Sequence, residues 1–317
     1  MKSIRQLLTN PWLASAIGLY LAGVVILSRN PEFSLSDALL ELLIFGLGFS
    51  LVAWWTTMRA TPLVVAQHPT RREMLGLVVY VVVLSVYLAF GPQKIDSLLP
   101  HDWISSERIR FFVNLIRKLV VFVVIPFVLF GPLCDYRWHD FGWQKASLRE
   151  LFGSHFLVVF VTSLLILAFQ YFLGGGAAPL REGKFNLHQL VLGLPLCFAW
   201  LAIEAGLVEE FFFRALLQSR LSAWFRSEVT GVVLMALVFG LAHAPGFIFR
   251  RAGVVEGLGA NPSPIDAIAY SIVTLAVSGI FFGIIWARTR NLAALVIIHA
   301  ATDLFPNLSG FVKTWGL

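Results

Sequence analysis

Three short stretches carry nearly all the chemistry this chain offers. The first is Glu209-Glu210-Phe211-Phe212-Phe213-Arg214, two carboxylates and a guanidinium within six residues. The second is Phe239-Gly240-Leu241-Ala242-His243, and the third is His299-Ala300-Ala301-Thr302-Asp303. Each lies inside a long apolar run. A charge at the centre of a bilayer costs ~2.5–3.5 kcal/mol even on insertion scales, so such residues face the protein interior and serve function or pairing.

Helical geometry sorts these groups. Glu210 and Arg214 stand four residues apart, on one face, where they can pair. Glu209 is turned about 100° from Glu210 and shares its face with Ala202, Ala205 and Gly206, small residues that admit a neighbouring helix. The expectation is that Arg214 neutralises Glu210 and leaves Glu209 as the reactive carboxylate. With the next helical turn near Arg226, Glu209 lies 17 residues before it and His243 17 after, so an antiparallel hairpin puts the two at one depth. His299 and Asp303 share a face four residues apart. They lie about 12–18 Å from their own turn near Asn291, against about 25 Å for Glu209, so their level does not match on rise alone. Glu204 is turned about 140° from Glu209 and reads equally well as a structural hydrogen-bonding group.

A carboxylate and an imidazole at one depth can deprotonate a water, and a second histidine backed by a carboxylate can stabilise an oxyanion or act as acid. That set suits hydrolysis of an amide within the membrane. No Gly-x-Ser-x-Gly elbow and no His-Glu-x-x-His helix occurs, which leaves serine-hydrolase and zincin chemistry unsupported. Glu209, His243, His299 and Asp303 are competent zinc ligands. Because they come from three helices with no close pair on the first two, the expectation is no metal and no other cofactor. The non-catalytic alternative is a cluster of ion pairs that fixes helix packing or binds a partner, as in a scaffold, immunity or transport-partner protein.

The elements that must position these groups are membrane helices. Of 317 residues, 58% are hydrophobic and 13% charged, against about a quarter charged in soluble domains. Apolar segments fall near 12–28, 38–57, 74–91, 111–131, 151–173, 190–217, 229–246, 264–287 and 291–307, an all-α bundle of eight or nine spans. Arg117 and Lys118 sit inside the fourth. They are expected to snorkel to the headgroups, with the span beginning after them. The loops 64–73 and 135–150 are expected at the interface, where tryptophan is favoured. The net charge of +6 reads as loop topology rather than nucleic-acid binding. With the N-terminus cytoplasmic, thirteen basic residues fall inside, Lys2 and Arg5 among them, and nine outside, Arg250 and Arg251 among them. Cys134 and Cys197 show no metal or redox spacing, and no cleavable signal peptide is seen.

Together the three stretches resemble the EExxxR, FxxxH and HxxxN/D motifs of the CPBP (Abi) family of intramembrane proteases, which includes the CAAX prenyl endopeptidases. They occur in order on separate spans, and Phe141-Gly142-Trp143 resembles the short glycine-containing segment that precedes the family core. The resemblance covers residues 140–310. It divides the chain into N-terminal helices of unassigned role, 1–135, and a catalytic core, 136–317. It implies an endopeptidase in which Glu209 and His243 activate water and His299 and Asp303 stabilise the oxyanion. Glu210, Arg214 and Phe239 would support them. The implied substrate is a membrane-associated peptide or protein, and the implied location is the cell membrane. Asp303 departs from the asparagine of the prenyl endopeptidases. An ionised aspartate donates nothing to an oxyanion, so its implied part is to orient His299 and hold it charged.

Overall fold

The computed structural model describes residues 9–65, 68–249 and 257–317. Lys2, Arg5, Arg250 and Arg251 of the topology count, and Ala66 and Gln67 of the first interfacial loop, lie outside the described residues. The described residues form nine apolar helices. They are α1 (Pro11–Leu27), α2 (Leu35–Thr56), α3 (Arg71–Asp96), α4 (Glu107–Cys134), α5 (Phe156–Leu173), α6 (Leu187–Trp224), α7 (Glu228–Phe249), α8 (Pro264–Thr289) and α9 (Leu292–Trp315). Eight of them, α2 to α9, are long and apolar enough to cross a membrane, while α1 has 17 residues. The chain is an all-α, multi-span membrane protein.

The helix that carries the fourth apolar segment, α4, starts at Glu107, capped by Ser106, whose hydroxyl accepts from the Ile109 amide. Lys118 has an internal partner, described below.

The helices fall into two compact units. The first comprises residues up to Trp55, then Gln67–Leu98 and Leu216–Ala287. It holds α1, most of α2, α3, the end of α6, α7 and most of α8. Glycines admit its helices closely: a Cβ at Gly23 of α1 would stand 2.8 Å from a methyl of Val273, and one at Gly240 of α7 would stand 2.4 Å from the Ser271 carbonyl of α8. The buried Arg220 and Glu73 pair at 3.1 Å.

The second unit comprises Thr56–Ala66, Leu99–Ala215 and Arg288–Leu317. It holds α4, α5, most of α6, and α9. Its core is Cys197 and Leu201 of α6 against Ala300, Leu304, Leu308 and Phe311 of α9. Gly193 of α6 meets Val312, where a Cβ would stand 2.9 Å from the valine methyl, and Gly206 meets the Val296 backbone, where it would stand 2.8 Å from the carbonyl oxygen. As numbers rise along α6 they fall along α9, so the two helices run antiparallel. The start of α9 is anchored by Asn291, whose side chain accepts from the Ala294 amide and donates to the Ser147 carbonyl.

Candidate active site

The polar groups of the second unit gather where α6 and α9 cross. Glu210 and Arg214 are sealed from solvent, with Arg214 Nε 3.4 Å from Glu210 Oε2. The expected i, i+4 pair is thus present. The expected division of labour is not: Glu210 is not taken up by Arg214 alone. Its other oxygen, Oε1, lies 2.8 Å from His299 Nδ1. On the far side of the same ring, Nε2 lies 3.7 Å from Glu209 Oε2 and 3.5 Å from Asp303 Oδ2. His299 is therefore bracketed by three carboxylates, one on Nδ1 and two on Nε2.

Backbone geometry accounts for the difference. Steps of 100° hold for a uniform α-helix, but α6 switches to wider i→i+5 hydrogen bonding over Ala202–Leu207 and again over Glu210–Gln218. A wider turn separates successive residues by a smaller angle, so Glu209 and Glu210 both reach the α9 side. Such π-type turns concentrate at functional sites.

The mismatch in depth is resolved in the same place. The turn near Arg226 agrees with the end of α6 at Trp224; what counting from separate turns lacked was the register of α6 against α9. Gly206 and Val296 are level. Glu210 is one turn beyond Gly206, and His299 is about one turn beyond Val296 in the opposite direction. Helical side chains lean toward their own N-terminus, so these two lean toward each other and meet.

Burial grades the cluster. The side chains of Glu210 and Arg214 are 0% exposed and that of His299 7%, whereas Glu209 keeps 19% and Asp303 31% of theirs. The two accessible carboxylates face the same ring nitrogen. One turn further along α9, the Asn307 amide donates to the Asp303 carbonyl at 2.8 Å. Asn307 also lines a cavity of about 230 Å³, together with Glu204, Asn114, Trp200 and Phe311.

Glu204 does not join the histidine. Its carboxylate pairs with Lys118 Nζ of α4 at 2.5 Å, in keeping with the structural reading of that residue. Lys118 is a charge whose partner sequence reasoning missed. A lysine and a glutamate, each stranded in a separate apolar run, were the available signal. Gln170 was missed as well. This buried amide of α5 donates to the Thr302 carbonyl, within the turn that joins His299 to Asp303.

His243 belongs to the first unit, on α7. Its Nδ1 lies 2.9 Å from the Phe239 carbonyl, and the Phe239 ring packs edge-on at 5.0 Å between centroids. Donation from Nδ1 to that carbonyl fixes the neutral tautomer whose Nε2 carries the lone pair. The phenylalanine of the second motif thus orients the histidine with both its ring and its carbonyl.

No group of three or more histidine, cysteine, aspartate or glutamate side chains is arranged to hold a metal ion among the described residues.

Comparison with known proteins bears on residues 191–305, which match the family model for the Rce1-like type II CAAX prenyl endopeptidases. No curated protein and no solved structure matches the chain. The matched segment is a little over a third of the chain and runs from the start of α6 to Phe305 of α9, taking in all three motifs. Over that segment the chain is similar to the Rce1-like type II CAAX prenyl endopeptidases, the protease group that the motifs resemble.

Proposed function

We propose that this protein is an intramembrane endopeptidase that hydrolyses a peptide bond of a membrane-associated substrate by a glutamate-activated water. The observation that carries the reading is the graded burial around His299. A purely structural ion cluster would be sealed throughout. Here the sealed members, Glu210 and Arg214, hold the ring from one side, while Glu209 and Asp303 stay accessible on the other.

In this reading Glu209 takes a proton from water as the oxygen attacks the scissile carbonyl, a step in which the motif resemblance implies a share for His243. The carbonyl oxygen gains the electron pair and is stabilised by a donor on His299. Collapse of the tetrahedral intermediate breaks the C–N bond, and the held proton passes to the leaving amine. Asp303 orients His299 rather than binding the oxyanion itself. The cavity bordered by Trp200, Phe311 and Asn307, one helical turn along α9 from Asp303, offers room for an apolar side chain of the substrate. The balance of basic residues supports an N-terminus on the cytoplasmic side of the cell membrane.

The test is substrate profiling of the wild type against Glu209→Gln and His243→Ala in native membranes. Cleavage products present with the wild type and missing with both variants, at equal insertion, support the protease. Full cleavage without Glu209 sinks the glutamate mechanism, and unchanged partner capture with no cleavage by any form favours a scaffold.

A further inference from the structure

The catalytic turn of α9 contains a built-in weakness. Pro306 has no amide hydrogen, so the carbonyl of Thr302, four residues earlier, loses its helical donor. An apolar environment leaves such a carbonyl no water to turn to. Thr302 immediately precedes Asp303 and lies three residues after His299, so the freed carbonyl is part of the turn that sets both side chains.

The vacancy is filled from a different helix. Gln170 stands near the end of α5, a span otherwise built of apolar residues, Thr162, Ser163 and Tyr171. Its Nε2 donates to the Thr302 carbonyl. The acceptor is a carbonyl, so the amide orientation is fixed: a flipped side chain would set two oxygens against each other. Gln170 is 8% exposed, and its own Oε1 is buried without a hydrogen-bond partner. A glutamine that leaves half its amide unsatisfied in an apolar span is costly, and leucine would pack there without that cost. What the glutamine supplies is the N–H on Thr302. The chain that follows α5 holds the proline itself in place: a Cβ at Gly176 would stand 2.9 Å from Pro306 Cα.

We infer that Gln170 is a positioning residue for the His299–Asp303 turn, its side-chain N–H replacing the backbone donor that Pro306 removes. The inference rests on the protease reading for its effect on rate, but the coupling between Gln170 and Pro306 stands apart from it. Gln170 touches no reacting atom in this account; it acts through the backbone that aims His299.

The experiment uses the full-length protein in nanodiscs and four forms: wild type, Gln170→Leu, Pro306→Ala and the double variant. Activity is followed with the member of a lipid-anchored, quenched-fluorescence peptide library that the wild type cleaves fastest, and amide exchange is followed over residues 299–307. Gln170→Leu is expected to lower kcat roughly 10- to 100-fold with KM within about twofold, as for a misaimed catalytic group. It should also speed exchange in this turn. Pro306→Ala restores the missing N–H, so the double variant should return to within about threefold of Pro306→Ala alone. A purely structural role would lower the yield of folded protein without splitting kcat from KM, and alanine at 306 would not rescue it. Unchanged kcat in Gln170→Leu, or a double variant as slow as Gln170→Leu, overturns the inference. A wild type that cleaves no peptide counts against the protease reading alone. The exchange arm then decides the coupling, and exchange that is unaltered by Gln170→Leu overturns it.

Discussion

His299 Nδ1 and Glu210 Oε1 meet at 2.8 Å, and the other oxygen of that carboxylate, Oε2, stands 3.4 Å from Arg214 Nε. One buried carboxylate thus ties a fixed cation to an imidazole across two helices. Glu210 is the hinge pin of the cluster rather than a spent partner of Arg214, and this relationship sets what its removal should do.

Arg214→Met strips the fixed cation from Glu210 while leaving the carboxylate buried. Breaking a buried pair from one side costs about 3–5 kcal/mol. The variant should unfold at markedly lower temperature in detergent. Glu210→Leu combined with Arg214→Met should recover most of that loss, because apolar replacement of a whole buried pair is close to neutral. Cleavage should stay lost in the double variant, since His299 no longer has an anchor on Nδ1. Thermal unfolding beside a peptide-cleavage assay separates the two effects.

The Lys118–Glu204 pair predicts a milder outcome. Its side chains keep 37% and 18% of their exposure, so solvent screens part of the attraction. Lys118→Met should cost about 1 kcal/mol, and the charge-reversed pair Lys118→Glu with Glu204→Lys should regain most of it. A double-mutant cycle of unfolding midpoints gives the coupling directly. If Glu204 instead served the reaction, charge reversal would restore stability and leave activity low.

The sequence made the apolar spans and the three polar motifs legible because both signals are local. Twenty apolar residues announce a span without reference to anything else, and i, i+4 spacing announces Glu210 with Arg214 and His299 with Asp303. What stayed hidden depends on neighbours. The π-type turns of α6, which aim Glu209 and Glu210 at the same ring, leave no periodic mark in Ala202–Leu207. The register of α6 against α9 is fixed by Gly206 on the Val296 backbone, and counting from the connecting turns could not supply it. Lys118 and Gln170 each act on a residue more than 80 positions away, Glu204 and Thr302 respectively. No spacing rule links such pairs. Pro306 three residues after Asp303 was a visible sign that the turn needed an outside donor, but not of where that donor would come from.

Asp303 is the point at which this chain departs from the prenyl endopeptidases it resembles. Its Oδ2 lies 3.5 Å from His299 Nε2, so it can orient the ring, and its amide counterpart can do the same through its own oxygen. Asp303→Asn should therefore keep kcat/KM within about tenfold of the wild type, whereas Asp303→Ala should lose roughly 10²-fold, the scale of a lost electrostatic donor or its support. Equal losses for asparagine and alanine would show that the negative charge, and not the orientation, is what the site needs.

The last prediction concerns the anchor of α9 and carries a pH dependence. His155, fully buried just before α5, has its Nε2 3.0 Å from the Thr61 carbonyl and its Nδ1 2.8 Å from the Asn291 amide nitrogen. Neutral imidazole satisfies both, donating from Nε2 and accepting at Nδ1; a protonated ring would set an N–H against the Asn291 donor. Desolvation by burial holds the His155 pKa below its usual 6.5. The folded state then binds fewer protons than the unfolded chain, so stability rises with pH through this window. The contribution is fully present above 6.5, is lost as pH falls below it, and levels off beneath the depressed folded value. His155→Gln keeps a donor and an acceptor without a titrating group. It should flatten this limb of the unfolding midpoint against pH between about 7 and 5 while lowering the plateau slightly. A limb of unchanged steepness in that variant would assign the dependence to other groups.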